Sequence, residues 1–265
     1  MLRGFRKDDT PVMHTAFLRV LVVVVLFLIW QLLAYLSIIP HQKIPSPWET
    51  VMGVQSLILV GLPSGYKLFT HVVESLYRVL YGFSIAILIA VPLGIVMGWS
   101  KRLRDLLNPL VEIVRPIPPL AWIPMAIFWF GIGIKSAAFI IFLGAFFPIL
   151  LSTIAGVLSV DSILIEASRT LGARQRDIYT KVLIPGATPS IYTGLRIGMG
   201  VAWMTLIAAE FTGVKSGYGL GYMIMVARDI QRPDYILAGM IIIGITGYTL
   251  DACLRTLERM MLRWK

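Results

Sequence analysis

Charge is scarce in this chain: 14% of its 265 residues are Asp, Glu, Lys or Arg, while 57% are hydrophobic. A soluble domain carries about a quarter charged residues, so a solvated globular surface is excluded. Cysteine is scarcer still. Cys253 stands alone, so no intrachain disulfide can form and the redox compartment is left unread. Three scattered histidines, His14, His41 and His71, offer no metal-ligand spacing. The chain has no Gly-x4-Gly-Lys-Ser/Thr loop to cradle a nucleotide phosphate. It also lacks the His cluster or Ser/His/Asp arrangement that would mark an integral-membrane enzyme.

Apolar runs of span length are what the chain has in quantity, with a mean hydropathy of +0.81. A hydrocarbon core of about 30 Å takes about 20 residues of helix to cross. Six candidate helices follow, at 16–37, 71–98, 109–131, 134–158, 188–210 and 236–257. The expected fold class is therefore all-α, a polytopic integral membrane protein with about six transmembrane helices in a single domain, 1–265. The run Ala16 to Ser37 is too long for a signal-peptide core and has no small-residue cleavage site before Pro40, so it reads as a retained anchor.

Lys and Arg decide the orientation. The N-terminal tail, residues 99–108, residues 159–187 and the end from Arg255 hold fourteen of them, and the opposite segments hold six. Such an excess marks the cytoplasm. Both termini and the segment at about 159–187 then face the cytoplasm, and about 38–70 and 211–235 face outward. The formal charge of +10 would suggest nucleic acid in a soluble protein. Here the basic residues flank spans, where they set orientation and meet anionic membrane lipid, and no nucleic-acid partner is expected.

The spans are not uniform. Pro116, Pro118, Pro119 and Pro124 crowd the stretch from Arg115 to Pro124, and the backbone groups they free must be satisfied by protein or a water-filled cavity. That helix is expected to be broken and interior. Gly94/Gly98 and Gly194/Gly198 are small-x3-small pairs that permit close helix approach. The outward segment 40–70 is expected to hold a short helix from Trp48 to about Val60, and 211–222 reads as flexible, continuing as helix through Ala227. Arg78, Arg115, Arg196 and Glu210 are intramembrane charges that require an explanation. One explanation is an anionic cargo: Arg78 and Arg115 then make a positive cavity shaped by Pro118, Trp122 and Trp203. The other is structural, because Arg78 lies four residues after Glu74 and Arg115 three after Glu112. Glu210 closes the fifth span, where pairing or capping is the simpler use. Trp99 and Trp129 near span ends read as interface anchors.

The most informative segment is a polar island, Ile165-Glu-Ala-Ser-Arg-Thr-Leu-Gly-Ala173, followed by Val182-Leu-Ile-Pro-Gly186. Two short helices are expected in it, Ser162 to Leu171 capped by Gly172 in the left-handed region, and Arg174 to Leu183 ended at Pro185. Glu166, Ala167, Gly172, Val182, Ile184 and Pro185 resemble the pattern E-A-A-x3-G-x9-I-x-L-P of the inner-membrane permeases of ABC importers. Ser168 stands in place of the third small residue, and Val182 and Ile184 are swapped aliphatics. The stretches Arg115 to Gly133 and Gly194 to Glu210 are similar to the branch that imports nitrate, bicarbonate, taurine and alkanesulfonates, a branch that also serves aromatic acids and vitamin precursors.

That resemblance implies a transport subunit and no enzyme. The hairpin would couple to a cytoplasmic ATPase through Glu166, Ala167, Ser168, Arg169, Leu171, Gly172, Ala173 and Pro185, with Arg174 and Arg176 in support. It implies two ABC ATPase subunits as partners, an extracytoplasmic substrate-binding protein and a second permease copy. No cofactor is expected on this chain, ATP and Mg belonging to the ATPase. The location implied is the cell membrane, multi-pass. A solvated loop with a capped helix is the plainer reading of the hairpin. The rival classes are an ATP-independent carrier or channel and a membrane enzyme.

Overall fold

A computed structural model describes residues 12–36, 44–63, 65–212 and 218–262. Every regular element among them is helical: α1 (Val12–Tyr35), α2 (Pro47–Leu59), α3 (Leu68–Trp99), α4 (Lys101–Val114), α5 (Ile123–Phe130), α6 (Ile134–Leu158), α7 (Ser162–Thr170), α8 (Gln175–Ile178), α9 (Ile184–Phe211), α10 (Leu220–Asp229) and α11 (Pro233–Met261). Four helices are long and apolar enough to cross a membrane: α3, α6, the continuous α8–α9 and α11. The fully described part of α1, Val24–Tyr35, is shorter than a span.

Glycine contacts fix the relative directions. A Cβ at Gly82 would meet Ala138 and Ile141, one at Gly94 would lie 2.7 Å from Thr153 Cβ, and one at Gly98 would lie 2.5 Å from Val157 Cβ. Partner numbers rise together, so α3 and α6 run parallel. A Cβ at Gly194 would fall 2.6 Å from Ser152 and one at Gly198 would meet Ile149, so α9 is antiparallel to α6. Both small-x3-small pairs thus stand where backbones meet and a larger side chain has no room. Trp203 Nε1 donates to the Ile243 carbonyl at 3.2 Å, and Arg196 reaches Asp251 and Glu258. Consequently α11 is antiparallel to α9, and its C-terminal end lies on the same side as the polar hairpin. The central helix is α6, apolar all round and buried on several faces by Ala138, Ile141, Ala145, Ile149 and Leu150, as a helix enclosed by others must be.

Because α3 and α6 are parallel, the chain between them must return across the bundle. That task falls to α4 and α5, bent by 81° at Arg115–Pro118. The break expected from the prolines is there, with a 3₁₀ turn at Pro119–Trp122, but two expectations need correction. The helix begins upstream of the expected 109, at Lys101, where Ser100 caps it through Leu103 N, so 101–108 is helical too. Nor is the kink interior: Arg115, Pro116, Ile117, Pro118 and Leu120 are exposed in the single chain, uncovered by any other described helix. The expected helix Trp48–Val60 is α2, held by a Ser46/Glu49 capping box. It lies against the start of α11 through the Ser56–Tyr235 hydrogen bond.

Candidate functional site

Three places in the bundle carry polar chemistry. At one end is the hairpin. Asp161 caps α7 by accepting from Ile163 N at 2.9 Å. Gly172, at φ +81°, ends it. Ala173 N donates to Ser168 O and Gly172 N to Arg169 O, both at 3.0 Å, the paired bonds of a Schellman cap. Leu171, Ile163 and Leu164 are 88%, 67% and 56% exposed. Glu166, Ala167, Arg169, Arg174 and Arg176 are exposed beside them, with Ser168 and Ala173 half-buried. The eight residues singled out from the sequence are thus together, except Pro185, which lies farther along the chain.

Pro185 does not end a helix. From Tyr179 to Leu183 the chain makes a π turn, and Ile184 N bonds to Tyr179 O, five residues back. Pro185 then takes a first-turn position of α9, where its missing N–H leaves no gap. The second hairpin helix and the fifth span are therefore one continuous rod. Trp99 packs at a tilt against Tyr179 with centroids 4.8 Å apart, so this tryptophan holds the rod against the end of α3. An exposed Lys181–Asp177 pair at 2.8 Å decorates the turn.

At the kink, Arg115, Trp122, Gly144, Phe147, Pro148 and Val201 line a cavity of about 290 Å³. The expected Glu112 partner is not engaged: among the described residues Arg115 has no carboxylate within ion-pair distance, and Glu112 accepts from Asn108. Pro118 is exposed at the kink. Trp129 joins Trp122, Phe130 and Phe139 in an aromatic cluster.

At the far end the structure brings together residues that the sequence kept apart. Arg78 Nη1 donates to Glu210 Oε1 at 2.7 Å and to Tyr218 O at 2.8 Å. Glu210 also accepts from Ser75 Oγ and, at 2.9 Å, from Gly221 N. Ser75 Oγ in turn accepts from Leu220 N, and His71 Nδ1 lies 2.9 Å from Gly219 O. Arg78 and Glu210 are 1% and 0% exposed. They and Trp203, 7% exposed against α11, line no open space in this conformation, which departs from their expected place on a path. The Glu74 pairing foreseen for Arg78 exists but is the longer one, 3.4 Å. The expected looseness of 211–222 is corrected at Tyr218–Gly221, which is pinned by these bonds; 213–217 lies outside the described residues. Arg196 is paired with Asp251 at 3.2 Å, and Asp251 also takes Arg255.

Sequence reasoning missed Ser75, His71 and the Gly219-Leu-Gly221 run as parts of one site. The available signal was the run's two glycines beside the lone acid of the fifth span.

A bundle of apolar spans with an exposed capped hairpin at one end defines a multi-pass membrane protein. Residues 90–264 match the family described as binding-protein-dependent transport system inner membrane component, and the chain belongs to that family. A protein of Methanocaldococcus jannaschii described as an ABC transporter permease is 45% identical, over 89% of this chain and 88% of its own length. The taurine transport system permease of Escherichia coli is 37% identical, over 91% and 86%. The nitrate import permease of Synechocystis is 34% identical, over 90% and 86%. Among solved structures, the inward-facing MetNI methionine ABC transporter shares the fold with a TM-score of 0.62 at 22% identity, covering 83% of this chain and 99% of that one. The chain is thus a permease subunit of an ABC importer and not an enzyme.

Proposed function

We propose that the hairpin at about 159–187 is the docking surface for a cytoplasmic ABC ATPase. In the assembled importer two such ATPases would carry the ATP and Mg, a second copy of this chain would complete the translocation path, and an extracytoplasmic binding protein would deliver the solute. The observation that carries this reading is α7: Leu171, Ile163 and Leu164 stand in the open on a helix fixed at both ends by caps. Apolar side chains so placed, ringed by Glu166 and the arginines, suit a partner's groove. ATP-driven closure of the two ATPases would move α7, and the π turn would pass that movement into α9. The Lys/Arg excess supports a cytoplasmic location for this end and both termini. Affinity purification of the tagged chain in mild detergent tests the reading. An ATPase should co-elute with the native chain and be lost from Glu166→Lys and Gly172→Val variants that still insert. A lone native chain without ATPase activity would overturn it.

The cargo proposed is a small anion of the sulfonate or nitrate class. Arg115 and Trp122 share a cavity of suitable size, a guanidinium binds planar oxyanions bidentately, and the relatives are named for taurine and nitrate. Arg115→Gln should raise the half-saturating solute concentration for uptake on the order of ten-fold while the ATPase still co-purifies. Unchanged uptake would remove Arg115 from the path.

A further inference from the structure

The buried cluster around Glu210 has no place in docking or in cargo recognition, yet it joins three helices through a dense set of buried hydrogen bonds. Glu210 sits in the last turn of α9 and accepts from α3 through Arg78 and Ser75, and from the head of α10 through Gly221 N. Ser75 and His71 of α3 hold the backbone of Leu220 and Gly219, and Tyr66 packs edge-on against Tyr218 at 4.7 Å. At Gly219, φ is +139° and an added Cβ would fall 2.6 Å from the Glu210 carboxylate, so the close approach is built into the sequence. Opening this cluster would leave two charges unpaired in an apolar interior, which makes it a poor hinge and a good rivet. The other end of α9 is the π turn of the hairpin, with no interruption between Ile184 and Phe211.

We infer that Arg78 and Glu210 are positioning residues for transport: they rivet α10 to α3 and α9, so that a displacement entering at the hairpin leaves at α10. The inference rests on the ATPase-docking reading for the source of the displacement. It excludes α10 as an independently swinging element. Glu210 becomes the outer terminus of a strut that begins at the cytoplasmic turn.

The test uses the full importer complex in lipid nanodiscs, with Cys253→Ser as background and single nitroxide labels at Thr170→Cys in the hairpin or Arg228→Cys at the end of α10. The trigger is Mg-ATP with vanadate, and the readout is label mobility and accessibility to a water-soluble relaxation agent. With the native cluster both positions should respond. In Arg78→Met/Glu210→Gln, which removes both charges together and so avoids a lone buried ion, position 170 should respond as before. The response at 228 should fall about ten-fold. Gly219→Ala, which keeps both charges and displaces only the α10 head, should give the same split and serves if the double variant fails to assemble. A response at 228 that survives in both variants, or that is missing in the native chain while 170 responds, would overturn the rivet. No response at either position in the native chain would instead remove the docking reading, and the transmission with it.

Discussion

The two ends of the bundle use polar residues in opposite ways. In the Glu210 cluster the polar groups are turned inward: Arg78, Glu210 and Ser75 are bonded among themselves and to the backbone of 218–221, with Arg78 and Glu210 almost wholly buried. In the hairpin the polar groups face out and the Asp177–Lys181 ion pair is on the surface, while Leu171 and Ile163 project uncovered. A site that must hold its shape closes on itself, whereas a site that must bind leaves contacts unmade. The first kind is part of the fold of one chain. The second is finished only by a partner, and the kink at Arg115–Leu120, exposed among the described residues, is of the second kind too.

The comparison breaks most sharply at Arg78. Arg78→Met alone strands the Glu210 carboxylate in an apolar interior and should cost about 3–5 kcal/mol, enough to abolish most of the folded yield in detergent. Fluorescence-detected size exclusion of tagged protein measures this. Adding Glu210→Gln to the same chain should recover the monodisperse peak. A single Arg78→Met variant as stable as the native chain would show that the far end is not the closed, matched site described here.

How much of this was legible beforehand depends on distance along the chain. The hairpin was readable because its cap lies within twelve residues: Asp161, Ser168 and Gly172 dictate a short capped helix by local chemistry. The broken span was readable from Pro116, Pro118 and Pro119 for the same reason. Pro185 misled, because proline stops an α-helix but a preceding π turn shifts the hydrogen-bond ladder and lets the rod run on to Phe211. Glu74 and Glu112 were the natural partners for Arg78 and Arg115 under i,i+4 and i,i+3 spacing. Arg78 does reach Glu74, but its closer partner lies 132 positions away, and only the antiparallel return of α9 beside α3 brings it there. Pairings across a bundle leave no periodic trace in one sequence, so Asp251 as the partner of Arg196 was equally invisible.

Two glycines put the contrast on a smaller scale. Both Gly172 and Gly219 have positive φ, +81° and +139°, so alanine at either position meets backbone strain. Around Gly172 an added Cβ finds nothing within 4 Å, whereas at Gly219 it meets the Glu210 carboxylate at 2.6 Å and Arg78 Nη1 at 2.8 Å. Gly219→Ala should therefore cost the strain plus the overpacking, about 2–4 kcal/mol. Gly172→Ala should cost the strain alone, about 1 kcal/mol. Thermal midpoints of the two purified variants, compared side by side, measure the difference. If Gly172→Ala proved the more damaging, the hairpin would be supported by contacts within the chain, and its exposed leucines would no longer imply a partner.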